Sequence, residues 1–201
     1  MKAGVTTKLG IYTEEDFLDR ATCEALKAEA RSGACAPAGV YGSESGYVLD
    51  EARRSAFKVG VSDGAAASVR ERLLAKRGEF TARFGVEVKD CQEPTFLLYK
   101  PGDFFETHRD RAHDREAPDA VRHRRVSVVV FLNDEAAGGA AGEYEGGSLA
   151  FYGLLRDPRC WHLGVPVRGK AGLLVAFNSD IFHQVSPVTK GERFTIVSWF
   201  F

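Results

Sequence analysis

The sequence predicts an α+β fold in which helices buttress a β sandwich or barrel, and three observations predict it. Two capped helical stretches fall in the first half of the 201-residue chain. After residue 93, eight short apolar runs alternate with turn residues, the texture of a sandwich or barrel. No linker and no internal repeat separates the halves. One domain over 1–201 is therefore expected, with 1–92 as helical support and 93–201 as the β core.

In chain order, Thr13 is placed to cap a helix through EEDFLDRATCEALKAEAR, with acidic residues in its first turn and Gly33 beyond its end. The stretch GACAPAGVYGSESGY reads as a loop, and RSAFKVGV (54–61) as a strand. Ser62 or Asp63 caps a second helix through AAASVRERLLAKRGEFTARF, ended by Gly85. The β runs are TFLLY (95–99), DFFETHRD (103–110), VSVVVFL (126–132), SLAFYG (148–153), LGVPVRG (163–169), LLVAFN (173–178), IFHQVSPV (181–188) and RFTIVSWFF (193–201). Residues 111–125 are charged and lack apolar periodicity, and residues 133–147 are rich in Gly and Ala. Both read as mobile segments of the kind that form lids.

Bulk composition narrows the function classes. The chain is 44% hydrophobic and 27% charged, with a net charge of −1. It is globular, with no global field drawing it to nucleic acid or an anionic membrane. No apolar run approaches the roughly 18 residues of a spanning helix, and MKAGVTTKLGIYTEEDF lacks the apolar stretch of a signal peptide. A cytoplasmic location is expected. Cys23, Cys35, Cys91 and Cys160 form no CxxC pair, so free thiols in a reducing compartment are expected.

The chemistry-bearing residues are His108, Asp110 and His183. His108 and Asp110 stand two apart in FETHRD, and residues i and i+2 of a strand share a face. His183 lies in a later apolar run and is placed to close a triad across a barrel. Two histidines and one carboxylate on one octahedral face leave three positions open, as non-heme Fe(II) oxygen chemistry requires. The HRD string also occurs in protein kinases, but the Gly-rich loop, strand lysine and DFG segment of that reading are missing. His113, His123 and His162 have no partner at ligand spacing and read as surface residues.

Arg193 follows His183 by ten residues across the turn TKGE. An antiparallel hairpin would set it beside the strand of His183. An inward arginine with no acid nearby except Glu192 suits bidentate capture of a carboxylate, such as one end of a dicarboxylate. Thr195 shares its face and can add a hydroxyl.

YKPGDFFETHRD, RRVSVVVFLND, EGGSLAFYG and FHQVSPVTKGERFTIVSWFF together resemble the Fe(II)- and 2-oxoglutarate-dependent dioxygenases, in their prolyl 4-hydroxylase-like branch, over about residues 93–201. The resemblance implies a double-stranded β-helix, or jelly roll, with helices packed on one face. It implies iron bound by His108, Asp110 and His183, and Arg193 on the distal carboxylate of 2-oxoglutarate. Tyr99 matches a tyrosine that touches the co-substrate. Arg125 and Ser127 match an Arg-x-Thr strand opening. Fe(II), 2-oxoglutarate and O2 are the implied cofactors, with ascorbate as reductant. Phe105 and Phe131 depart from the pattern, standing where many prolyl hydroxylases have tyrosines. Tyr99, Thr195 or Ser127 then remain to help Arg193.

The expected reaction is hydroxylation of an unactivated C–H bond. The expected substrate is a protein residue such as proline, with a free amino acid or other small metabolite as the alternative. Arg111, Arg115, Arg122, Arg124 and Arg125, with His113 and His123, suggest a lid that attracts an acidic peptide or small acid, against a solvated loop partly neutralised by Asp114, Glu116 and Asp119. Tyr41, Tyr47, Tyr152 and Trp161 are candidates to line a pocket. No membrane or nucleic-acid partner is expected, and the sequence leaves the oligomeric state open.

Overall fold

Alternation with period two organises the β core. Along Arg193–Phe200, Phe194, Ile196 and Phe200 pack into a cluster shared with the helices. The intervening Arg193, Thr195, Val197 and Trp199 line a cavity on the other side. The strands Thr95–Tyr99 and Val126–Phe131 divide in the same way: Phe96, Leu98, Val126, Val128 and Val130 join the helix-side cluster, while Val129 and Phe131 join a second cluster on the opposite face.

This architecture comes from a computed structural model, which describes residues 10–42, 46–136, 143–154 and 157–201. The described strands are β1 (Ile11–Glu14), β2 (Cys35–Pro37), β3 (Val40–Gly42), β4 (Gly46–Val48), β5 (Arg54–Ser55), β6 (Phe57–Val59), β7 (Thr95–Tyr99), β8 (Phe104–His108), β9 (Val126–Phe131), β10 (Tyr144–Gly146), β11 (Leu149–Phe151), β12 (Val165–Val167), β13 (Leu174–Asn178), β14 (His183–Val185), β15 (Val188–Gly191) and β16 (Arg193–Phe200). The helices are α1 (Arg20–Ser32), α2 (Asp63–Leu74), α3 (Arg77–Phe84) and α4 (Asp119–Arg122).

Two antiparallel sheets face each other in a jelly roll. The major sheet runs β1-β13-β9-β16-β7-β6-β2 and the minor sheet β12-β11-β14-β8-β5. Leu26, Leu73 and Phe80 of α1, α2 and α3 bury the outer face of the major sheet. Ile11, Phe131, Phe151, Val167, Val175 and Phe177 fill the space between the sheets. All eight β runs of the second half form strands, but IFHQVSPV breaks into β14 and β15 at Ser186–Pro187. A proline cannot donate to a ladder, which explains the break.

The first half departs from expectation in several places. Thr13 does not cap a helix; it lies in β1, opposite Val175. Asp16 has a positive φ of 56°, which ends the strand and prevents an early helix start. The helix begins after Asp19, whose carboxylate accepts from Thr22 N at 2.8 Å, and ends at Gly33 as expected. Ser62 caps α2, but the second helix divides at Ala75–Lys76 into α2 and α3 before Gly85 closes it. The stretch 54–61 supplies two short strands in different sheets, and the presumed loop before it supplies β2, β3 and the start of β4. Thus the described residues of 1–92 hold strands as well as helices. All four cysteines are free, and no helix among the described residues is long and apolar enough to cross a membrane.

Candidate active site

The minor sheet positions the metal face. His108 ends β8 and lies directly opposite His183 of β14, so the two histidines sit on adjacent strands and not across a barrel. Two residues on, Asp110 N donates to Ser179 O at 3.1 Å, which holds the carboxylate at the strand end. His108 Nδ1 donates to Glu106 O at 2.7 Å, and His183 Nδ1 to Ile181 O at 3.0 Å. Each bond fixes a tautomer and leaves the Nε2 lone pair available. Both Nε2 atoms point at Asp110, at 3.6 Å from His108 and 3.5 Å from His183. One ligand atom from each residue lies within 4.8 Å of the others.

Electrostatics suits these residues to a cation. The side chains of His108, Asp110 and His183 are 12, 11 and 6% exposed. Burial, with the neighbouring His108, pushes the His183 imidazole down to about 4, so it is neutral and ligating at physiological pH. Burial alone would raise the Asp110 carboxyl. His183, His108 and the Arg124 guanidinium outweigh that effect and hold it below the ordinary carboxylate range. Phe105 stacks on His108 at 3.5 Å, and Phe177 packs edge-on to His183 at 4.7 Å.

A cavity of about 660 Å³ opens between the sheets above this face. Arg193 reaches it from the major sheet: β16 pairs with β7 and β9, so Arg193 does not lie beside the strand of His183. The reason is topological, because the chain after β14 pairs β15 with β10 and then crosses to the other sheet. Arg193 is 1% exposed. Glu192 bonds Arg31 instead, at 3.2 Å, and among the described residues no carboxylate pairs with Arg193. Its Nη1 donates to Thr195 Oγ1 at 3.2 Å, its guanidinium lies 5.0 Å from the rings of Tyr99 and Phe131, and its Nε has no partner. A buried cation without an anion is costly, so the geometry suits a carboxylate ligand.

Sequence reasoning missed Tyr144. Its hydroxyl is buried without a partner and close enough to Arg193 for that cation to pull its pKa downward. Burial dominates, however, and pushes the phenol up to about 12, so it remains a hydrogen-bond donor. Two glycines make room for the Tyr144 and Arg193 side chains. A Cβ at Gly169 would overlap the Tyr144 hydroxyl and come within 2.8 Å of Phe131. A Cβ at Gly147, where φ is +64°, would meet Val188 at 2.8 Å and Arg193 Cδ at 2.9 Å. The signal available in the sequence was a lone aromatic inside the Gly-rich run GEYEGG.

The other candidates divide. Tyr99 and Thr195 line the cavity. Ser127 does not; its hydroxyl lies 2.9 Å from Ser179 Oγ. Arg124, not Arg125, lines the cavity. Tyr152 and Trp161 lie outside the lining, and the side chains of Tyr41 and Tyr47 fall outside the described residues. The segment 111–125 is docked: Arg111 and His113 both reach Asp180, at 3.3 and 2.7 Å, and Val121 is buried. The segment 133–147 yields β10, while 137–142 lie outside the described residues. The site as built offers a two-histidine, one-carboxylate donor set for a first-row divalent metal and an unpartnered guanidinium for an organic acid.

Comparison with known proteins bears on this geometry. The sequence profile of the 2OG-Fe(II) oxygenase superfamily matches residues 94–201. A PKHD-type hydroxylase of Rhizorhabdus wittichii is 28% identical over 179 residues, covering 77% of this chain and 73% of that protein. A PKHD-type hydroxylase of Shewanella oneidensis is 33% identical over 106 residues, covering 53% of this chain and only 41% of that protein. Among solved structures, a Pseudomonas putida prolyl-4-hydroxylase superposes with a TM-score of 0.71 at 27% identity, covering 100% of this chain and 98% of that one. A Trichoplax adhaerens prolyl hydroxylase, solved with a hypoxia inducible factor peptide fragment, shares the fold with a TM-score of 0.69 at 16% identity, covering 100% of this chain and 87% of that one.

Proposed function

Because the chain belongs to the 2OG-Fe(II) oxygenase superfamily, we propose that it hydroxylates an unactivated C–H bond of a protein residue, proline being the leading case. The observation that carries this reading is one cavity that joins a His108–Asp110–His183 face to a buried arginine lacking an anion. Ferrous ion, 2-oxoglutarate and O2 together supply an oxidant strong enough to take hydrogen from carbon, while succinate and carbon dioxide leave.

The chain's own residues bind, orient and exclude. His108, Asp110 and His183 hold the metal by one face. Arg193 holds the far carboxylate of 2-oxoglutarate, with Thr195 and Tyr144 as hydroxyl donors and Tyr99 packed beside it. Val129, Leu149 and Val185 give the cavity apolar walls, which limit water near a reactive centre. Proline is favoured by the similarity to the Pseudomonas putida enzyme along the whole chain. Four free cysteines support a reducing, cytoplasmic setting, where ferrous ion is retained.

The test is succinate release from 2-oxoglutarate with Fe(II) and ascorbate, alongside mass spectrometry of proline peptides for one added oxygen. Wild type is expected to release succinate and His183→Ala is not. Equal turnover by the two proteins would refute the metal assignment. Oxygen added to free amino acids and to no peptide would transfer the reading to a small metabolite.

A further inference from the structure

The mouth of the cavity carries more positive charge than the molecule neutralises. Three arginines at this rim, Arg53, Arg54 and Arg109, have no carboxylate within ion-pair distance among the described residues. The acids lining the same cavity are already engaged: Glu93 pairs with Arg70 at 3.1 Å, and Asp110 belongs to the metal face. This local excess occurs on a chain whose net charge is −1, so it is a feature of the rim and not of the surface at large.

Arg53 and Arg109 are exposed, Arg54 is half-buried, and each is held by a contact that leaves guanidinium donors unpaired. Arg53 is exposed, and its backbone carbonyl accepts from Glu106 N at 2.9 Å, which ties the residue to β8. Arg54 gives Nη1 to Gly39 O at 3.0 Å and lies 4.6 Å over the Phe105 ring; its Nε is buried, so Nη2 is the donor left for a ligand. Arg109 rests 4.8 Å over Phe182, a ring 45% exposed at the same rim. Stacking occupies the flat face of a guanidinium and leaves its N–H edge free for a carboxylate. Loading the centre does not consume this charge, because a divalent metal, Asp110, a dicarboxylate and Arg193 neutralise one another.

Building on the hydroxylase reading above, we propose that the substrate is an acidic stretch of polypeptide whose Asp or Glu side chains, flanking the target residue, pair with Arg53, Arg54 and Arg109 while an apolar side chain packs on Phe182. A peptide is favoured over a small acid because these cations ring the mouth, and the deep carboxylate site is already served by Arg193. Complementary rim charge of this kind sets partner choice and encounter rate.

The experiment uses the protein loaded with Fe(II) and 2-oxoglutarate without oxygen. Binding of fluorescent proline peptides flanked by Glu, by Gln or by Lys is followed by anisotropy. The Glu peptide is expected to bind at least about tenfold tighter than its Gln isostere at low salt, with the advantage shrinking as salt rises. In Arg53→Gln/Arg109→Gln the advantage is expected to fall below about threefold, while the absorption band of the bound metal and 2-oxoglutarate persists. Arg53→Glu is expected to improve binding of the Lys peptide. Equal binding of Glu and Gln peptides, an advantage unmoved by the double variant, or no peptide binding at all overturns the proposal. Equal hydroxylation of Glu and Gln peptides, once oxygen is admitted, sinks the charge proposal and leaves the hydroxylase reading standing. Loss of succinate release with every substrate would remove the hydroxylase reading itself.

Discussion

The Phe105 ring lies flat on the imidazole of His108, with centroids 3.5 Å apart and planes inclined by 17°. The Arg54 guanidinium lies 4.6 Å over the same ring, so Phe105 touches both a cation and the candidate metal-binding imidazole. As sequence, Phe105 counted as a lost tyrosine hydroxyl. In the structure it fixes the rotation of a ligand.

Phe105→Ala frees the His108 ring to turn about its Glu106 hydrogen bond. Metal affinity is expected to fall by about tenfold, the lower end for losing an orienting neighbour, with Phe105→Tyr close to wild type. Titration with Co(II) or Fe(II) checks this. Unchanged affinity in Phe105→Ala would show that the Nδ1 bond alone orients the ring.

Arg193→Ala removes the cation at the floor of the cavity. The 2-oxoglutarate dissociation constant is expected to rise by about a hundredfold or more, since a buried charge pair is lost, with metal binding kept. Tyr144→Phe removes one buried hydroxyl and is expected to weaken 2-oxoglutarate by about tenfold. Calorimetric titration of the metal-loaded protein reads both. A Tyr144→Phe protein with wild-type affinity would exclude that hydroxyl from the carboxylate site.

Gly169→Ala tests the Tyr144 side chain by steric means. The added methyl would overlap the Tyr144 hydroxyl and press on Phe131. Over-packing of this kind costs about 1–3 kcal/mol, and 2-oxoglutarate binding is expected to weaken with it. In Gly169→Ala/Tyr144→Phe, part of the stability is expected to return. Urea denaturation of the three variants measures the coupling, and strictly additive losses would place Tyr144 away from that methyl.

Acid should destabilise the metal-free protein through His183. In the unfolded chain this imidazole takes its proton near 6.5, while in the folded state burial and His108 push it to about 4. Between these values the unfolded state binds the extra proton. Its contribution is therefore full above about 6.5 and lost as pH falls toward about 4. The depressed Asp110 carboxyl acts in the same sense at lower pH. His183 accounts for roughly 3 kcal/mol at most. Urea unfolding at about pH 7.5 and about pH 5 should show the loss, and His183→Gln should flatten it. A pH-independent midpoint in the wild type would contradict the assignment.

Legibility in the sequence followed the range of the interactions involved. The strands of the second half were readable because buried β runs such as VSVVVFL carry their own pattern. The metal residues were readable as an HxD pair with a later histidine, although β8 ends at His108 and Asp110 is held beyond it by its bond to Ser179. The strand Ile11–Glu14 was not, since its reason for being extended is a distant partner, Leu174–Phe177. Arg193 was recognised by chemistry but assigned to the wrong sheet, because sequence adjacency suggests a hairpin where the chain crosses over. Tyr144 was hidden in a three-residue strand whose partners, Val188–Gly191, lie more than forty positions away. Ser127 matched a pattern, yet its hydroxyl is occupied by Ser179, a contact that spacing does not reveal.

The place of β16 between β7 and β9 has a consequence for assembly. His108, Asp110 and His183, the candidate metal-binding side chains, all precede β16 in the chain. Until β16 docks, β7 and β9 each lack the neighbour it supplies in the finished sheet. The strand that fills the slot also brings Arg193, opposite Tyr99. The wall for the organic acid is therefore the last part of the pocket to arrive, and closing the sheet and completing that wall are one event.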